Sequence, residues 1–114
     1  MDPVWDGSGV ADAFADAFAA WATRNGGTVA ERTDERVRCE FESTDRQLKT
    51  AIGVYAANGR QMLRFETVRE ELELKLLTDY EFAGDTLLVQ SDKGTRTFAF
   101  DVADGEWRVE KRPV

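Results

Sequence analysis

Arg24-Asn25-Gly26-Gly27-Thr28-Val29-Ala30-Glu31-Arg32-Thr33-Asp34-Glu35-Arg36-Val37-Arg38-Cys39-Glu40-Phe41-Glu42 is the stretch in which the hydrophobic period of the chain changes from helical to extended. Before the glycines, Val10, Phe14, Phe18 and Trp21 recur at helical spacing, with Asp12 and Asp16 away from them, which predicts an amphipathic helix from about Ser8 to Asn25. Ser8 or Asp6 is placed to cap its start. Asp12 suits the positive end of the helix dipole, Arg24 suits the negative end, and Asn25-Gly26-Gly27 is a stop signal. Alanines at 11, 13, 15, 17, 19, 20 and 22 raise helix propensity and keep the profile thin, so the helix can lie close to whatever it covers. After the glycines the side chains alternate. Residues 28–32 and 36–42 read as a hairpin through Thr33-Asp34-Glu35, with Val37, Cys39 and Phe41 on one face and Arg36, Arg38, Glu40 and Glu42 on the other.

The extended pattern continues to the end of the chain. After a polar break over 43–47, residues 48–57 and 60–68 flank Asn58-Gly59, a hairpin signal because a type I′ turn needs positive φ at both central positions. The segment 48–57 is taken as a strand, although Leu48, Ala51, Ile52 and Tyr55 would also fit a short helix. Leu72, Leu74 and Leu76 alternate with Glu71, Glu73 and Lys75 in a strand that runs on toward Phe82. Turns at Ala83-Gly84-Asp85, Asp92-Lys93-Gly94 and Ala103-Asp104-Gly105 then separate three further strands, and Pro113 ends the last. The expected fold is a single α+β domain over residues 1–114: one N-terminal amphipathic helix packed on a curved antiparallel sheet of about six to eight strands, ending in a β-meander. A helix of about 18 residues is roughly 27 Å long and covers only part of such a sheet. The rest of the sheet must curl around the helix, close on itself, or meet the same face of another copy.

With 114 residues, 42% hydrophobic and 11% aromatic, the chain has the composition of one globular domain. The net charge of −7 comes with lysine only at 49, 75, 93 and 111, isoleucine only at 52 and asparagine only at 25 and 58. A genome rich in G and C produces such usage, and so does an extreme halophile, whose acidic surfaces stay soluble in molar salt; of the two, the halophile is expected. Met1-Asp2-Pro3-Val4-Trp5-Asp6 lacks a basic stretch ahead of an apolar run, and no run of about eighteen apolar residues occurs, so a cytoplasmic location without membrane contact is expected.

The chain has no histidine, which excludes Ser-His-Asp and Cys-His catalysis, histidine acid–base work and the usual zinc sites. Cys39 is the single cysteine and reads as a buried structural thiol. Gly7-Ser8-Gly9 lacks the lysine and spacing of a phosphate loop, and Glu66, Glu70, Glu71 and Glu73 lack a calcium-loop framework, so no cofactor and no metal are expected. Arg36, Arg38, Arg60, Arg64 and Arg69 are the main basic features, but the overall acidity argues against nucleic acid as a partner.

A helix followed by a long meander with Gly105-Glu106-Trp107-Arg108-Val109 in its last strand is similar, in order and pattern, to the cone-shaped NTF2-like and cystatin-like folds. That resemblance implies a concavity between helix and sheet, and no functional residue is carried over from it. Two functions are expected from different classes. The leading one is a non-catalytic module that self-associates or docks on a protein through an uncovered sheet face, with Trp5, Tyr55 and Phe65 as interaction residues. The alternative is a small-ligand pocket, with or without weak enzymatic activity, lined by Phe14, Phe18, Trp21, Phe98, Phe100 and Trp107.

Overall fold

The computed structural model describes residues 1–42, 49–102 and 105–112. The polar break at 43–47, Leu48, the Ala103-Asp104 part of the last turn and Pro113 lie outside the described residues. The helix, α1 (Asp12–Arg24), is shorter at its start than the periodicity suggests. Neither Ser8 nor Asp6 caps it; Ala11 stands at the N-cap without a side-chain hydrogen bond. The reason is a competing local structure. After β1 (Asp2–Pro3), the two-residue strands β2 (Trp5–Asp6) and β3 (Gly9–Val10) pair as a miniature hairpin, with Trp5 opposite Val10, across a turn in which Gly7 has a φ of 68°. The hairpin is anchored by the Val10 amide donating to the Asp34 carbonyl and the Ala11 amide donating to the Val4 carbonyl, both at 2.8 Å. At the other end the expected stop holds: Asn25 Nδ2 donates to the Trp21 carbonyl, Gly26 takes a φ of 78°, and the Gly27 amide donates back to the Ala22 carbonyl at 2.7 Å.

Beyond the helix come β4 (Thr28–Arg32), β5 (Arg36–Glu42), β6 (Lys49–Ala57), β7 (Arg60–Glu66) and β8 (Glu71–Leu74), paired antiparallel in chain order as one five-stranded sheet. Residues 49–57 are therefore strand. Asn58 and Gly59, at φ 52° and 77°, make the tight turn between β6 and β7.

The chain then departs from the expected single sheet. Leu72-Glu73-Leu74 does not run on to Phe82. Leu76 takes a left-handed φ of 50° and is exposed, while Leu77 is fully buried, so the alternation slips by one residue and the chain leaves the first sheet. The slip is fixed by the Leu77 amide donating to the Gln61 carbonyl at 2.8 Å and by Trp5 Nε1 donating to the Leu77 carbonyl. Past Leu77 the chain builds a second antiparallel sheet from β9 (Asp79–Ala83), β10 (Thr86–Ser91), β11 (Gly94–Asp101) and β12 (Glu106–Arg112), with β1 added along β9. The architecture is thus one helix with two five-stranded sheets and a two-stranded ladder, twelve strands in all among the described residues. The strand count and the sheet layout differ from the expected six to eight strands on one sheet.

The two inner faces pack on each other. Phe41 of β5 meets Phe100 at 5.0 Å and Trp107 at 4.9 Å between ring centroids, and Phe65 of β7 meets Phe98 at 5.6 Å and Trp107 at 5.1 Å. The helix seals one side. Phe14 stacks on Tyr80 of β9 at 4.8 Å, and Trp21 touches Phe41 of the first sheet and both Phe82 and Trp107 of the second. A helix of 13 residues, about 20 Å long, suffices because each sheet supplies most of the other's cover.

Candidate interaction site

Because the apolar faces are spent on the core, chemistry available to a partner lies on the outer faces. On the first sheet the outward residues follow from alternation and register. Arg36, Tyr55 and Met62 form one row; Arg38, Gly53 and Arg64 form the next; Glu40, Ala51 and Glu66 form the third. The central strand presents only small residues at 51 and 53 between long ones on both neighbours. A hollow of about 240 Å³ results, lined by Arg36, Arg38, Ala51, Gly53, Val54, Tyr55, Arg64 and Glu66. Gly53 is required there. A Cβ at this position would lie 2.8 Å from the Val37 carbonyl oxygen and 3.1 Å from the Arg38 Cα, because β5 approaches β6 closely at this point.

Three arginines and one glutamate line the hollow, and Glu31, Glu40 and Glu71 lie against the same arginines, so the guanidiniums are matched by carboxylates in a chain whose formal charge is −7. The guanidinium of Arg36 sits 5.7 Å from the centroid of the Tyr55 ring, in cation–π range, and the Tyr55 hydroxyl donates to Met62 Sδ at 3.4 Å. Each guanidinium is steadied from the side. Arg36 pairs with Glu31 at 3.5 Å, Arg38 with Glu40 at 3.2 Å, and Arg64 with Glu66 at 2.7 Å and also with Glu71. All of these side chains are at least a quarter exposed, so each such pair contributes about 0–1 kcal/mol.

The residues expected to line a pocket are brought together, but as packed rings. Phe14 lies 5.2 Å from Phe18, Phe18 is 5.7 Å from Trp21, Trp21 is 5.8 Å from Trp107, and Trp107 is 5.1 Å from Phe100. Phe98 joins them through Phe65. The three expected interaction residues are not brought together. Tyr55 is half-buried on the outer face; Phe65 points inward and is 2% exposed; Trp5 is half-buried in the N-terminal hairpin with its indole N–H used on Leu77. The arginine rows are visible in the alternation. The hollow between them is not, and its only signal is a glycine and an alanine two residues apart inside a strand.

Other reactive groups have structural roles. Cys39 is fully buried, and burial pushes its thiol up to about 12, so it is protonated and not a nucleophile at neutral pH. Burial, and secondarily the Asp2 carboxylate, raises the Tyr80 phenol, which therefore stays neutral. Among the described residues no three side chains of metal-ligating type converge, and no helix is long and apolar enough to cross a membrane. Compared with family models, curated proteins and solved structures, the chain matches none.

Proposed function

We propose that this protein is a non-catalytic interaction module that docks on another protein through the arginine-walled hollow of its first sheet. The observation that carries the reading is the clustering of Arg36, Arg38 and Arg64 around Gly53, with Tyr55 as the aromatic wall of the hollow. Arginine and tyrosine are the residue types that concentrate binding energy at protein interfaces, because each offers a large rigid surface and directional donors. The partner presents a carboxylate side chain, which fits between Arg38 and Arg64, two strand spacings apart, or about 10 Å between backbones. The test uses a capped peptide with two adjacent glutamates, and the same peptide with glutamines, titrated calorimetrically. The expected result is measurable binding of the glutamate peptide only, weakened roughly tenfold by Arg38→Gln with Arg64→Gln. Equal heats from both peptides, or no loss in the double variant, would count against the reading.

We assign the module to a salt-rich cytoplasm. With 22 acidic against 15 basic residues, self-repulsion is unscreened in dilute buffer and screened at molar ionic strength, where the Debye length is about 3 Å. The melting temperature is expected to rise between dilute buffer and molar KCl. A melting temperature that stays level or falls would leave the acidic composition as a matter of codon usage.

A further inference from the structure

The two sheets leave four edges. Three are blunted in ways that discourage strand addition: β1 has two residues, one of them Pro3; β8 has four; β4 carries a register shift between Val29 and Glu31. The fourth, β12, is different. It is seven residues long, its pairing with β11 runs from Glu106 to Arg112 without a break in register, and among the described residues nothing pairs with its other side. An edge of this kind presents a row of outward amides and carbonyls.

The charges along this strand read Glu106, Arg108, Glu110, Arg112 on the outer face, with Trp107 and Val109 turned half-buried toward the core. A second copy related by a two-fold axis perpendicular to the sheet runs antiparallel and keeps outer face beside outer face, so the only freedom left is the residue through which the axis passes. An axis through Val109 uses all seven residues and sets Glu106 opposite Arg112 and Arg108 opposite Glu110, each pairing occurring twice. An axis through Arg108 instead sets Glu106 against Glu110 and Arg108 against itself. One through Glu110 sets Arg108 against Arg112 and Glu110 against itself. The strand is therefore charge-complementary to its own reverse in one full-length register and self-repelling in the two adjacent ones. Within a single copy the signs gain little, since the Arg108 Nε to Glu110 Oε1 distance is 3.8 Å and both side chains are well exposed.

We infer that a second copy of this chain docks along β12 by antiparallel strand addition centred on Val109, joining the second sheets of two protomers into one continuous ten-stranded sheet. The edge belongs to the second sheet and the arginine-walled hollow to the first, so the inference does not rest on that hollow.

The test is sedimentation equilibrium on the full chain and three variants at about 0.15 M salt, where charge pairs still act, with circular dichroism confirming that each is folded. The wild type is expected to dimerise. Arg108→Glu and Glu110→Arg, each creating two like-charge contacts per dimer, are each expected to raise the dissociation constant at least tenfold, and Arg108→Glu combined with Glu110→Arg to restore it. Amide hydrogen exchange in molar KCl gives a readout that does not depend on charge, with β12 amides expected to be better protected at high protein concentration than at low. A wild type that stays monomeric at millimolar concentration with β12 protection independent of concentration overturns the inference. So does a dimer that both single variants leave intact.

Discussion

Trp21→Ala is expected to cost about 3–5 kcal/mol of folding stability. Trp21 is fully buried and is the residue at which all three layers meet: it stacks on Phe18 of its own helix at 5.7 Å and touches Phe41 from the first sheet and Phe82 and Trp107 from the second. Its indole N–H also donates to the Asp85 carbonyl at 2.8 Å, tying the helix to the turn between β9 and β10. Truncation opens a cavity bounded by rigid rings that cannot collapse into it, and removes the donor from Asp85. Since a domain of this size has about 5–15 kcal/mol in total, a large share of it would go. Urea unfolding followed by far-UV circular dichroism checks this, and a loss below about 1 kcal/mol would mean that the helix is not the piece that locks the two sheets together.

The second large effect is expected at Gly53. Adding one methyl group there places a carbon 2.8 Å from the Val37 carbonyl oxygen and 3.1 Å from the Arg38 Cα, and neither is the end of a flexible side chain that can swing away. The strands must separate at the centre of a five-stranded sheet, or β6 must shift register along part of its length. Gly53→Ala is therefore expected to destabilise the protein by about 2–3 kcal/mol, although alanine has the better strand geometry in an unconstrained site. Gly53→Val should be worse. The same urea titration decides it, and a Gly53→Ala variant as stable as the wild type would show that β5 and β6 do not approach so closely. In that case the hollow over Gly53 would also lose its structural cause.

The parts of the fold that are legible in the sequence are those set by local rules. The Asn25-Gly26-Gly27 stop, the β4–β5 hairpin and the Asn58-Gly59 turn follow from backbone preferences of a few residues, and all three occur where those residues stand. Periodicity misplaces the helix start because Val10 fits the helical stripe equally well when it is buried by a β-hairpin opposite Trp5. The division into two sheets is hidden for a related reason. The Leu72, Leu74, Leu76 alternation continues smoothly in the sequence, and only the buried neighbour Leu77, held by hydrogen bonds to residues far away in the chain, turns Leu76 outward. A tertiary contact overrides a local pattern.

That one slip also changes the functional picture. With a single sheet, a short helix leaves apolar surface to be covered by something else, and Phe65 reads as an exposed aromatic. With two sheets facing each other, Phe65 belongs to the core and the aromatic residues fill the interior with one another. Alternation alone puts Arg36, Arg38 and Arg64 outside, but the hollow they surround depends on the register that sets Gly53 between Arg38 and Arg64.

The most direct test of that picture is a backbone chemical-shift map of the protein during titration with the diglutamate peptide. Docking in the hollow predicts shifts confined to Arg36, Arg38, Gly53, Tyr55, Arg64 and their immediate neighbours. Shifts clustered on Phe14, Trp21 and Trp107, or spread evenly over every arginine, would contradict it.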